Sequence, residues 1–256
     1  MDNFSASPTN NALQPSKIAE VTAIFWILKI IATTLGESAG DLISQTLNLG
    51  YVAGLAITGA ALAVLLAAQI RAKAFHPLLF WAAVVGTTTA GTEISDLMDR
   101  TLGLGYVWGS VILTAGLLAT LLVWYLRDGT LRVDPINRRD AEVTFWIAVL
   151  FSNSLGTAFG DFLVDNLGLG YMQGALVCTA VIAAVLVLHR TRAVNAIALF
   201  WIAFIFTRPF GATFGDLLTK PLASGGLDLG TLHASLVCAA LMLGIIFMGH
   251  RRAIAR

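Results

Sequence analysis

Four times along this chain a Phe-Trp pair is followed by a glycine ten residues after the tryptophan and an aspartate fifteen after it. The copies are Phe25-Trp26 with Gly36 and Asp41, Phe80-Trp81 with Gly91 and Asp96, Phe145-Trp146 with Gly156 and Asp161, and Phe200-Trp201 with Gly211 and Asp216. A register kept four times marks a tandem repeat, each copy being one supersecondary unit that buries its apolar face against its neighbours. Whatever the chain folds into must be built from four similar pieces.

Composition says what surrounds those pieces. Of the 256 residues 57% are hydrophobic and only 12% charged, and the mean hydropathy is +0.80. A soluble domain carries about 25% charged residues, so this chain reads as an integral membrane protein. A spanning helix needs about 20 apolar residues, and eight segments qualify: 21–44, 51–70, 77–98, 105–126, 142–164, 170–189, 196–218 and 230–248. The expected fold is therefore all-α and integral to the membrane, with eight transmembrane helices as four tandem two-helix repeats. Short Leu-Gly turns such as Asn48-Leu49-Gly50 and Gly103-Leu104-Gly105 join the two spans of a repeat, and the fourth turn is longer by five residues. The start of the chain lacks a basic segment and a cleavage site, so no cleaved signal peptide is expected.

Successive Phe-Trp pairs are 55, 65 and 55 residues apart. The extra ten residues divide the chain into a first half, 21–126, and a second half, 141–248, joined by a linker at 127–140. A polar tail at 1–20, expected to be disordered up to about Lys17, and a basic tail at 249–256 flank them. Twelve lysines and arginines collect on one side of the spans, among them Arg71, Lys73, Arg138, Arg139 and Arg251, against Arg100 and Lys220 on the other. The positive-inside bias then puts both termini in the cytoplasm. With an even number of spans each, the repeats all run in one direction, so the four aspartates share a depth.

The Phe-Trp pairs and the four aspartates resemble those of bacterial membrane proteins of unknown function made from four tandem two-helix repeats, each marked by a tryptophan. The resemblance covers nearly all of the chain after its N-terminal tail. It implies the architecture and carries no activity with it.

Function is argued from the acids. On a helix, Thr33, Thr34, Glu37, Asp41 and Ser44 lie within about 100° of one another, giving the first span one polar stripe. Thr88, Thr89, Glu93 and Asp96 do the same in the third span, Asn153, Ser154, Thr157 and Asp161 in the fifth, and Thr207, Arg208, Thr213 and Asp216 in the seventh, where Pro209 is expected to kink the helix. The odd spans are expected to face a shared interior and the even ones lipid. Six carboxylates, Glu37, Asp41, Glu93, Asp96, Asp161 and Asp216, are accompanied within the spans by Lys29 and Arg208 alone. An ionised group at the bilayer centre costs roughly 2.5–3.5 kcal/mol, so four uncompensated charges require protons, a bound cation, or the two in alternation.

Carboxylates and hydroxyls without a histidine or methionine cluster suit hard cations such as Mg²⁺ and Mn²⁺. The expected activity is a secondary transporter exporting a divalent cation, Mn²⁺ first, in exchange for protons. Its metal and proton site would be Glu37, Asp41, Glu93 and Asp96, with Asp161 and Asp216 as a matching set and Arg208 as a charge partner of Asp216 or of the substrate. Packing is the plainer role of the aspartates, as it is of Gly36-Gly40 and Gly156-Gly160. Lys29, one turn from Trp26, reads as a snorkelling residue, the Phe-Trp pairs and turn tyrosines as interfacial belts, and Cys178 and Cys238 as small buried hydrophobes. His76, His189 and His250 fall at helix ends, leaving His233 as the one nitrogen that could join a metal site.

The partners expected are protons, the divalent cation and the lipid bilayer, with self-association left open and no nucleic acid; no cofactor is expected. A proton-coupled carrier of a small organic cation and a non-transporting scaffold or sensor are the alternatives. No Ser/His pair, metalloprotease helix or nucleotide loop marks the chain as an enzyme. Reporters fused after Arg132 and at the C-terminus are expected to report cytoplasm, and those at Gly50 and Ser224 the opposite side. A cytoplasmic signal at Ser224 would overturn the eight-span count.

Overall fold

The computed structural model describes residues 16–136 and 138–254, with side chains to 249. Its eight long helices are α1 (Ala23–Asp41), α2 (Gly50–Arg71), α3 (Pro77–Asp96), α4 (Gly105–Asp128), α5 (Arg139–Asp161), α6 (Tyr171–Thr191), α7 (Ala196–Thr219) and α8 (Thr231–Ile254). Each agrees with an expected span to within a few residues, apart from the end of α8. Seven are long and apolar enough to cross a membrane; α3, interrupted by Thr87-Thr88-Thr89 and two acids, is not, although it is enclosed by the others. The chain is a multi-pass membrane protein of all-helical fold.

The odd helices pack α1 on α3, α3 on α5, α5 on α7 and α7 back on α1, closing a four-helix ring. Each even helix then lies against the odd helix of the next repeat: α2 on α3, α4 on α5, α6 on α7, and α8 on α1. No repeat is a self-contained hairpin. The linker makes no seam, because α3 and α5 pack as closely as the helices within a half.

Glycine sets the spacing of the ring. Counting from each tryptophan, the glycine at position 10 faces position 7 or 8 of the next repeat: Gly36 meets Thr88, Gly91 meets Asn153 and Ser154, Gly156 meets Arg208 and Pro209, and Gly211 meets Thr33. A methyl group at Gly36, Gly156 or Gly211 would collide with that neighbour, and one at Gly91 would crowd it. Position 14 repeats the device with Gly40 on Thr92, Gly160 on Ala212 and Gly215 on Glu37. Close approach brings hydroxyls to backbone carbonyls, as where Thr88 Oγ1 donates to Ala32 O at 3.1 Å and Thr33 Oγ1 to Thr207 O at 3.1 Å. This is the small-residue packing of membrane helices, carried round a closed circle.

Burial follows from that arrangement. The odd helices turn their polar stripes inward, while α2, α4, α6 and α8 expose valine and leucine, as at Val64, Leu118, Leu176 and Leu236. Cys178 and Cys238 are free and buried on the inner faces of α6 and α8.

Two readings of the N-terminal ends of the odd helices need correction. Phe25, Phe80, Trp81, Phe145, Trp146 and Trp201 are buried rather than interfacial. The phenylalanine of one repeat meets the tryptophan of the next at 5.5 Å for Phe25–Trp81, 5.7 Å for Phe80–Trp146 and 5.7 Å for Phe200–Trp26. At the remaining joint Trp124 of α4 stands between Phe145 and Trp201. The pairs floor the ring, because their place in the repeat faces the neighbouring helix and not the lipid. The tail reading, for its part, lies outside the described residues up to position 15, but Lys17 beyond it is held. Its Nζ is 2.5 Å from buried Glu142, and Gln69 Nε2 bonds both Glu142 and the Lys17 carbonyl.

Gly211→Val, on the seam where α7 closes on α1, is expected to cost about 3 kcal/mol by overpacking. Gly244→Val on α8, where an added Cβ meets nothing, should fall within about 0.5 kcal/mol. Thermal unfolding of the two variants in detergent checks the difference.

Candidate functional site

The acids form a layer near the C-terminal ends of the odd helices. Asp41, Asp96, Asp161 and Asp216 are all buried, and they meet in pairs that cross the two halves. Arg100 Nε lies 3.1 Å from Asp96 Oδ1, and its Nη2 bonds Asp161 Oδ2 at 3.0 Å. Lys220 Nζ lies 2.6 Å from Asp41 Oδ2 and 3.3 Å from Asp216 Oδ1. Arg100 and Lys220 occupy the same place in repeats two and four, four residues after the aspartate, so the ring has a pseudo-twofold character here. Burial works against the charge of Lys220, just past the end of α7, but Asp216 and Asp41 outweigh it and hold its pKa above the ordinary value.

Beyond the aspartate the first three repeats widen into a π-turn, with Leu47 N–H to Leu42 O at 2.8 Å, Leu102 to Leu97 at 2.8 Å and Leu167 to Phe162 at 3.1 Å. Such turns are rare and concentrate at functional sites. The fourth repeat keeps α-helical bonding, Lys220 N–H to Asp216 O at 2.9 Å. Its five extra residues fold back on α7, where Leu227 and Leu229 donate to the carbonyls of Leu217 and Leu218.

One turn deeper, a single guanidinium fills the axis. Arg208 sits at position 7 of its repeat, where the other three have Thr33, Thr88 and Asn153. Its Nη2 approaches Glu37 Oε2 at 2.9 Å, Thr92 Oγ1 at 2.6 Å and Thr157 Oγ1 at 2.6 Å. Those three are the position-11 residues of the first, second and third repeats. An amino group with two hydrogens cannot serve all three at once, so they are alternative acceptors around one charge. Lys29 is deeper still. It is fully buried, not snorkelling: Nζ donates to Asn153 Oδ1 at 3.0 Å and stands 4.1 Å from the centre of the Phe204 ring.

The expected four-acid set of Glu37, Asp41, Glu93 and Asp96 does not assemble. Among the described residues the acids with ligand oxygens close together are Glu37, Asp41 and Asp216, whose atoms lie within 4.8 Å of one another. Glu93 is one residue later in its repeat than Glu37 is in the first, position 12 rather than 11. That step of about 100° turns it from the axis toward Gly54 of α2, where neither of its oxygens has a donor. Asp96 belongs with Arg100 and Asp161. Arg208 pairs with Glu37, not with Asp216, whose partner is Lys220. His233 is exposed on α8 and joins no acid cluster.

Sequence reasoning missed Arg100 and Lys220 as members of the layer by counting them as loop cations. Their shared offset of four from the aspartate was the signal available. It also missed Asp99, buried against Gly109 with Ser95 Oγ donating to its Oδ2 at 3.2 Å.

The fold and this axial column of charge define a multi-pass helical membrane protein built as a closed ring of four repeats. The family described as "Repeat of Unknown Function" (DUF347) matches the chain four times, over residues 24–75, 79–130, 144–193 and 199–254. The chain belongs to that family. No curated protein and no solved structure matches it.

Breaking a buried pair strands its partner at a cost of about 3–5 kcal/mol. Glu37→Gln is therefore expected to destabilise the fold by that order, and Glu37→Gln with Arg208→Gln to recover most of it. Asp216→Asn should not be rescued by Arg208→Gln. A double-mutant cycle on thermal unfolding measures both couplings.

Proposed function

We propose that the protein is a proton-coupled transporter of a hard divalent cation, with Mn²⁺ the first candidate, in which Glu37, Asp41 and Asp216 hold the ion. The observation carrying this is the convergence of three buried carboxylates from α1 and α7 at the axis, with no nitrogen or sulfur ligand among them. Oxygen-only sites favour Mg²⁺ and Mn²⁺ over softer metals. With Glu142 paired to Lys17, the seven other buried carboxylates among the described residues, Asp99 included, stand against four cations, Lys29, Arg100, Arg208 and Lys220, which leaves three acids to be neutralised by protons or an ion.

We assign Lys220 the role of a built-in counter-charge that exchanges with the metal. It is a tethered cation between Asp41 and Asp216, more exposed than either acid at 22% of its side chain. An incoming ion displaces the ammonium outward and takes its ligands. The Arg100 joint between α3 and α5 has the same two aspartates, but Thr157 stands where the α1–α7 joint has Glu37. We assign it to holding the ring closed. In the bilayer all eight helices span, α3 included. Both termini lie in the cytoplasm of a bacterial inner membrane, the aromatic floor faces that side, and the carboxylate layer opens outward. Export of the cation against entry of protons fits this polarity.

The test is calorimetric titration of Mn²⁺ into the purified protein in buffers of differing ionisation enthalpy, alongside uptake into proteoliposomes. Binding is expected to release protons, and affinity to rise with pH. Asp41→Asn is expected to abolish transport, and Asp161→Asn to weaken it less. An ion that binds without displacing protons between roughly pH 6 and 8 would sink the exchange mechanism.

A further inference from the structure

Two sets among the buried polar atoms without partners lie at different levels of the helix bundle. Toward the C-terminal ends of the odd helices they are acceptors: both oxygens of Glu93 and one each of Asp96, Asp99 and Asp216. Midway along they are donors. Arg208 is fully buried, yet its Nε and Nη1 find no acceptor, which leaves three N–H bonds unmade. Lys29, also fully buried, makes one hydrogen bond, to Asn153.

α5 holds the two cations on one face, a turn apart. Asn153 accepts from Lys29; Gly156 lies against Cβ and Cγ of Arg208, and Thr157 accepts from its Nη2. Ser152 Oγ, one residue before Asn153, is buried without a partner as well. Glu37 neutralises Arg208. Among the described residues no carboxylate pairs with Lys29, whose charge is met only by an amide oxygen and the face of Phe204. Neutral dipoles and a ring face soften a buried charge without cancelling it. A water molecule would satisfy hydrogen bonds there and still leave the net charge.

We propose that Lys29 and Arg208 form a binding site for one small monovalent anion, chloride in the first instance, enclosed by α1, α5 and α7. One negative charge balances Lys29, and the free N–H groups of Arg208 supply directed donors of the kind anions take. The site lies on the far side of Arg208 from the carboxylate layer. An anion there shares the guanidinium of Arg208 with Glu37, so occupancy of the two sites is coupled.

The experiment heats the full-length protein in lipid nanodiscs, free of divalent cations, in chloride or in gluconate at matched pH and ionic strength. Chloride is expected to raise the unfolding midpoint with the logarithm of its concentration above Kd, by roughly 5–10 °C at a hundredfold excess. Lys29→Met should remove that rise. Coincident curves for the wild type in the two salts, as a Lys29 held uncharged would give, overturn the proposal, and so does a Lys29→Met protein that keeps the full rise. If that variant does not fold, bromide soaked into wild-type crystals decides. An anomalous peak between Lys29 and Arg208 supports the site, and its absence refutes it. No divalent cation is present, so the outcome is independent of the transport reading.

Discussion

The close approach of neighbouring odd helices governs the rest of the structure. Lipid tails are as apolar as leucine, so membrane helices gain little from burying apolar faces against each other and rely on tight packing and hydrogen bonds. The glycines at positions 10 and 14 let hydroxyl-bearing residues of the next repeat sit almost on the backbone. Four helices drawn in this far leave an axis too narrow for large side chains from every repeat at one level. Threonine therefore fills most of the inner positions, and a long charged side chain fits only where its counterparts are small. Arg208 fits because Thr92 and Thr157 face it. Lys29 fits because Val84 and Val149 hold its place in the second and third repeats.

Electrostatics inside that axis are arranged in layers. Charge buried in a low dielectric must be paired or given up, and the molecule uses both routes. Arg100 and Lys220 each bridge two aspartates from adjacent repeats, which spares the four acids from facing one another unshielded. Their contacts to Asp96 and Asp216 are charge contacts without hydrogen-bond alignment, so one oxygen of each remains without a donor. The upper layer keeps a surplus of acceptors and the middle one a surplus of donors. The middle surplus includes Arg208, which shares one nitrogen among several oxygens and leaves two without any.

Much of this was legible because a repeat reports its register directly. Helix limits, the inward stripes of the odd helices and the common level of the four aspartates all follow from periodicity and from the even number of spans. Ring order does not. A stripe states which face turns inward but not which helix stands beside it, and so Asp41 was grouped with Asp96 rather than with Asp216. Glu93 shows how small the margin is: one residue of offset, about 100° on a helix, moves a carboxylate from the axis to the α2 contact. Lys29 and the Phe-Trp pairs were misread for a different reason. Position near a helix end suggests an interface, whereas here the glycine-spaced ring encloses those ends as well.

The departures from fourfold likeness are where a function separate from folding has to be sought. Gly at position 10 and Asp at position 15 recur in all four copies, and a ring that only needed to close could use small hydroxyls everywhere else. Instead position 11 carries Glu37 once and position 7 carries Arg208 once, and the two meet. A buried ion pair seldom stabilises more than well-packed apolar residues of the same volume. Stability alone therefore does not account for this one, and the Thr92–Thr33, Thr157–Thr88 and Ala212–Asn153 combinations at the equivalent places show that the other three joints close without such a pair. The pair sits between the three-acid cluster above and Lys29 below, in contact with the former through Glu37. Any charge that enters either region alters what Arg208 must balance. A residue placed so that two charged regions draw on it couples them by construction, and such coupling is what the proposed exchange would require.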